Sequence, residues 1–234
     1  MTDHEIEQRL SGAASPPRDV DSVVLDRITT AVHASLKPVS TLPGSRVLIS
    51  GVVLICAVVA LAGAARAGLL GFKALGVAQR VIILSALAAL LWVTAREFVS
   101  QWIPASRRYL APQALVALAA GVLIAVFGGL FSDYHVEHFF TAGIICLGAG
   151  VFHALVAACL AAWFLRRGCV LNLVPAGAMA GTLGGISGVT LLELHCPNLE
   201  AAHVLVWHVA VVPVSAAGGA LIGWWVRAWR RRGQ

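Results

Sequence analysis

Six apolar blocks divide this chain, each about as long as a bilayer core is thick, and no carboxylate falls in the interior of any of them. A hydrocarbon layer of roughly 30 Å is crossed by about 20 helical residues, which is the length of the blocks near 46–66, 76–96, 110–131, 141–165, 171–193 and 203–226. They are rich in Ala, Leu, Val and Gly and lack the alternation of a barrel strand, so the backbone must satisfy its polar groups within helices. With 59% hydrophobic and 12% charged residues over 234 positions and a mean hydropathy of +0.85, the chain lies outside the range of soluble domains. The fold class implied is all-α: a polytopic membrane protein of six transmembrane helices over 46–226. It is preceded by a short helical cytosolic segment over 1–45 and followed by a basic tail over 227–234.

The first 45 residues carry Asp3, Glu5, Glu7, Asp19, Asp21 and Asp26 and no apolar core ahead of a small-residue cleavage site. They do not read as a signal peptide, so the first span is expected to act as an uncleaved anchor. Arg96, Arg107 and Arg108 follow span two, Arg166 and Arg167 follow span four, and Arg227, Arg230, Arg231 and Arg232 follow span six. Only Arg66, Lys73 and Arg80 lie on the opposite side, between spans one and two. Nine basic residues against three favour both termini in the cytoplasm. Trp92, Trp102, Trp163, Trp224, Trp225 and Trp229 mark the same ends, with Trp207 near the other. The net charge of +6 is then a matter of topology and anionic lipid and calls for no nucleic acid.

Ion-coupled transporters generally place an ionisable group in the membrane. Here His153, in the middle of span four, is the one deep titratable candidate, and a neutral imidazole hydrogen-bonded in a helix interface explains it as well. The glycines of the last two spans, among them Gly177, Gly181, Gly219 and Gly223, have small-xxx-small spacings that bring helix backbones together. No strand precedes them and no Lys-Ser/Thr follows, so they are not a phosphate loop.

Polar side chains collect on the outward side. The loop between spans three and four carries Asp133, Tyr134, His135, Glu137 and His138; that between spans five and six carries Glu193, His195, Cys196, Asn198, Glu200 and His203. Cys146 lies one to two turns inside span four, on one face with Gly150 and His153. Should spans four, five and six be neighbours, Cys146 and Cys196 come within reach of each other. Two chemistries suit such a set: a thiol pair oxidised outside the reducing cytoplasm, and a transient soft-metal site of thiolates and imidazoles. No Cys-x-x-Cys occurs, and interfacial polar residues beside scattered membrane cysteines would give the same pattern. Cys56, Cys159 and Cys169 read as small hydrophobes.

In the amino-terminal segment, Ile6 and Leu10 share one face of a short helix. After Pro16 and Pro17, Val20, Val24, Ile28, Val32 and Leu36 form a stripe at four-residue spacing. So short an amphipathic helix needs a partner to be stable. Its aspartates argue against anionic lipid and for a cytosolic protein groove.

Leu165-Arg166-Arg167-Gly168, Pro175-Ala176-Gly177-Ala178, Leu194-His195-Cys196-Pro197, Trp207 and a Gly-rich last span ending in Arg and Trp together resemble NrsF-like membrane anti-sigma factors. Phe139 to Gly150, with Cys146 in an Ile-Cys-Leu-Gly context, looks like the fourth span of that family. The resemblance implies a six-span inner-membrane protein whose cytosolic amino terminus sequesters an extracytoplasmic-function sigma factor and releases it on an envelope, metal or oxidative signal. In some members a cysteine pair at positions like Cys146 and Cys196 is implicated in the response to heavy metals. This amino terminus is longer than that pattern and lacks the His-x-x-x-Cys-x-x-Cys of zinc-binding anti-sigma domains.

The reading is thus a sensor and regulator, not an enzyme, with no resident cofactor. Cys146 and Cys196 are its signal-sensing thiols, His135, His138, His195 and His203 its accessory outer ligands. Ile6, Leu10, Val20, Val24, Ile28, Val32 and Leu36 are its sigma-factor surface. The competing readings are a small transporter or channel for a neutral solute or metal, with His153 and the outer His/Cys cluster as its pathway, and a thiol oxidoreductase or haem protein that pairs His153 with His208.

Overall fold

The computed structural model describes residues 21–35, 42–103, 106–134 and 139–232. The chain separates into two compact units between Thr41 and Leu42.

In the first unit, α1 spans Ser22–Ser35. The Asp21 carboxylate accepts the Val23 backbone N–H at 3.0 Å, which satisfies one of the orphan donors of the first turn. The stripe is present on this helix, with Val24, Ile28 and Val32 exposed at 45%, 54% and 49%. Ile6, Leu10, Val20 and Leu36 lie outside the described residues.

The second unit contains α2 (Ser45–Ala67), the short α3 (Leu70–Ala74), α4 (Val77–Ser100), α5 (Pro112–Leu130), α6 (Phe139–Phe164), α7 (Leu173–His195) and α8 (Ala201–Arg232). All of these except α3 are long and apolar enough to cross a membrane, so the six expected spans are present. α8 runs six residues past its expected end. Its 32 residues rise about 48 Å at 1.5 Å each, more than a core of roughly 30 Å, so the helix carries Arg227 to Arg232 beyond the hydrocarbon. α4 and α7 also run further than expected, which places Glu97 and Glu193 inside their last turns, both buried. Glu97 is structural: its carboxylate accepts the backbone N–H groups of Tyr109 and Leu110 at 3.2 and 3.4 Å and holds the connection to α5.

α7 sets the architecture. It is the least apolar of the six spans and the most buried, because its Gly, Ser and Thr residues face protein rather than lipid. It packs against α8, α6, α2 and α4. A Cβ on Gly177 would meet the backbone of Gly219, one on Gly181 the carbonyl of Ser215, and one on Gly184 or Gly188 the carbonyls of Ala154 and Gly150. Its glycines therefore form two seams, one against α8 and one against α6, as association without a hydrophobic drive requires. Toward α2, the Ser187 hydroxyl donates to the Cys56 carbonyl at 2.9 Å. The outward indoles of Trp92, Trp163, Trp224, Trp225 and Trp229 are exposed on the periphery.

Candidate functional site

The site lies at the end of the bundle that bears the loops between the third and fourth and between the fifth and sixth spans. α6 contributes Cys146 two turns from its start, and α7 ends at His195, so that Cys196 sits just past its last turn. Cys196 donates its backbone N–H to the Leu192 carbonyl at 2.7 Å, then leaves the helix in an extended conformation that turns its side chain toward α6. The two sulfurs are 3.6 Å apart, a contact between reduced thiols. Because α6 and α7 meet through the Gly188 and Gly150 backbones one turn below, the expected proximity of Cys146 and Cys196 follows from the glycine seam.

α8 supplies two imidazoles. His203 Nε2 is 3.6 Å from the Cys196 sulfur, and His208 points a ring nitrogen at the same place. One ligand atom from each of Cys146, Cys196, His203 and His208 lies within 4.8 Å of all the others. In a regular α-helix, residues five apart are turned about 140° from each other around the axis. Here residues Val204–His208 form a π-helical turn, whose wider i→i+5 closure brings His203 and His208 to one face, with their rings 5.2 Å apart. Pro213 follows one turn later and withholds its N–H from the ladder.

Glu193, in the last turn of α7, completes the arrangement. His208 Nδ1 donates to its Oε1 at 2.6 Å, which fixes the tautomer and directs Nε2 at the thiols. Both side chains are 1% exposed. Among the described residues, three polar atoms here are buried without a hydrogen-bond partner: His208 Nε2, His203 Nδ1 and Glu193 Oε2. An unsatisfied buried group costs about 1–3 kcal/mol, and of the three it is His208 Nε2 that lies on the thiol side, where a ligand would meet it. The Cys196 thiol is held above its ordinary pKa by its hydrogen bond with Cys146 and by burial, against the lowering pull of the two imidazoles.

The first loop roofs the cluster, which the sequence did not suggest. α3 lies on the end of α7, and Gly71 sits so close to the carbonyls of Glu193 and Cys196 that a Cβ would overlap both. Arg80 stacks over Phe72, with its guanidinium carbon 4.5 Å from the ring centroid, and donates to the Lys73 carbonyl. One of the basic residues on the dissenting side thus holds the roof in shape. On the far side, Trp207 fills the space left by Gly143 and packs on Phe139 and Phe140.

The expected ligands divide. Cys146, Cys196 and His203 are brought together. His195 is not: as a helical residue it points away from its neighbour Cys196 and donates Nδ1 to the Gly68 carbonyl at 3.0 Å, tying the first loop to α7. His135 and His138 lie outside the described residues. His153 bonds the Ala149 carbonyl of its own helix at 2.9 Å and packs on Gly63 and beside Leu191, the arrangement of an interface imidazole. His208, considered only as a partner for His153, belongs to the thiol cluster instead, and Glu193 is its support.

The family model described as negative regulator of sigma F matches residues 32–229. No curated protein and no solved structure matches the chain.

Proposed function

This chain belongs to the negative regulator of sigma F family, and from that membership we propose that it is a membrane-embedded anti-sigma factor that holds an extracytoplasmic-function sigma factor at the inner membrane. Regulation of a sigma factor requires a surface for it, and α1 carries the observation that supports this reading most directly. Val24 and Ile28 are about half exposed on one face of a capped helix, the i, i+4 pattern by which a helix enters a protein groove. With both termini on the cytoplasmic side, as the Arg and Trp distribution favours, α1 meets a cytosolic partner. A regulator family also suggests a non-enzymatic role.

The input is the thiol pair on the opposite membrane face. Cys146 and Cys196 join α6 to the end of α7, and a two-electron oxidant or a thiophilic ion acting there changes the spacing of helices whose backbones touch along the glycine seams. Release then follows if the bundle has two discrete packings of different affinity for the sigma factor.

The test of the output uses the full-length protein in detergent with Val24→Asp/Ile28→Asp. The variant should stay folded and lose co-purification of the sigma factor; retention of the sigma factor at the parent level would sink the α1 reading. For the input, a Cys146→Ser/Cys196→Ser variant should hold the sigma factor and no longer release it on oxidant or metal stress.

A further inference from the structure

We propose that Cys146, Cys196, His203 and His208 form a tetrahedral S2N2 site for a thiophilic divalent cation of the zinc class, with Glu193 as its supporting carboxylate. This deepens the sensor reading by naming its input, yet binding is measured on the protein itself and stands or falls apart from sigma-factor release.

Geometry carries the inference. A tetrahedral zinc with Zn–S of about 2.3 Å and Zn–N of about 2.0–2.1 Å has S···S edges of about 3.8 Å and S···N edges of about 3.6 Å. The Cys146–Cys196 sulfur separation is 3.6 Å, and that from Cys196 to His203 Nε2 is 3.6 Å. The His208 ligand atom closes the fourth corner within 4.8 Å of the rest. Cys146, Cys196 and His203 thus stand at coordination spacing, and His208 closes the set by moving inward by up to about an ångström.

The hydrogen bonds agree. Metal-bound imidazoles generally donate their second N–H to a carboxylate or carbonyl, which orients the ring and raises its basicity. His208 makes that bond to Glu193 at 2.6 Å, while its other nitrogen, Nε2, is buried with no hydrogen-bond partner among the described residues. A π-helical turn, a rare element concentrated at functional sites, is what aligns His208 with His203.

Charge balance favours a divalent ion. On binding, each thiol gives up its proton to solvent, forming two M–S bonds, and each neutral imidazole donates a lone pair. Two thiolates cancel the cation, two protons leave, and the coordination sphere is neutral. A low-dielectric end of the bundle accepts such a sphere, whereas an unpaired cation would be expelled. The sulfur and nitrogen donors select against magnesium and calcium, which take oxygen ligands. Cys146 is only partly buried, so the site is not fully enclosed.

The test uses full-length protein in detergent, reduced, stripped with chelator and desalted. Zinc titrated in competition with a chromophoric chelator should bind at one equivalent per chain. Cobalt(II) in its place should give the intense visible bands of a tetrahedral ion and thiolate-to-metal charge transfer. Cys146→Ser and Cys196→Ser should each abolish the charge transfer of their sulfur and weaken zinc by at least tenfold. Glu193→Gln should keep one equivalent and weaken it by about 10–100-fold. The parent protein gives an independent readout should a variant not fold. Zinc must protect Cys146 and Cys196 from alkylation, while the exposed Cys159 and Cys169 react as before. Absence of that protection, an octahedral cobalt spectrum, or unchanged zinc affinity in a folded Cys196→Ser variant overturns the proposal. Tight zinc binding with zinc-insensitive sigma-factor release supports the site and overturns the sensor reading.

Discussion

The Glu193–His208 pair offers the most exacting test of the site's construction, through a double-mutant cycle made of Glu193→Ala, His208→Ala and the combined variant. The bond is short at 2.6 Å, joins groups that are both 1% exposed, and has a carboxylate acceptor. Hydrogen bonds to charged groups contribute about 1.5–3 kcal/mol, whereas ordinary side-chain bonds between transmembrane helices average about 0.6 and reach about 1.7 kcal/mol. Burial within protein and charge assistance place this pair at the upper end, so the coupling energy should be about 1.5–3 kcal/mol. The single variants should be unequal. His208→Ala strands a buried carboxylate, a mechanism that costs about 3–5 kcal/mol where the charge persists. Glu193→Ala strands one N–H, at about 1–3 kcal/mol. Glu193→Gln keeps an acceptor and should retain roughly half of the coupling, since charge assistance about doubles a hydrogen bond. The assay is equilibrium unfolding in mixed detergent followed by tryptophan fluorescence, with chelator and reductant present so that neither metal nor disulfide contributes. Additivity within about 0.5 kcal/mol, the behaviour of independent sites, would refute the claim that Glu193 orients His208.

Other consequences follow from the same structure. Gly181→Ile should collide with the Ser215 carbonyl and destabilise the bundle by about 1–3 kcal/mol or more, whereas Gly121→Leu, with open space around its Cα, should leave thermal stability in detergent nearly unchanged. Ser187→Ala should cost about 0.6 and at most about 1.7 kcal/mol by loss of the bond to the Cys56 carbonyl, read from the same unfolding curves. The thiolate is the reactive form, and Cys196 has its pKa raised by Cys146 and burial. Its alkylation rate should therefore still be climbing above pH of about 8.5, where a simple thiol is half ionised, and Cys146→Ala should move that profile to lower pH, as mass spectrometry of the labelled peptide will show.

What the sequence made legible, and what it did not, divides along a physical line. Span number was legible because hydrocarbon thickness fixes block length, whereas the contact of Cys146 with Cys196 was legible only on the condition that spans four and five are neighbours, which the Gly150–Gly188 approach supplies. His203 was legible as an outer polar residue. His208 was hidden, since regular α-helical periodicity turns it about 140° away from His203, and only the π-helical turn cancels that offset. Pro213 is a local hint that the hydrogen-bond ladder is perturbed nearby, but proline alone does not specify a wider turn. Glu193 was hidden for a different reason: a carboxylate at the end of an apolar block reads as interfacial, whereas here it is buried against His208 of the next helix. The first loop explains His195, which looked equivalent to Cys196 in sequence and is committed to Gly68 instead. Adjacent residues at a helix end face different partners, so proximity in sequence to a thiol was a weaker guide than the i→i+5 closure two turns into the next helix. The site is thus assembled by departures from regular helix at the end of α7 and the start of α8. Such departures persist where something offsets their cost, and here the buried His208 nitrogen, unpaired among the described residues and on the side of two thiols, is the residue-level sign of what that is.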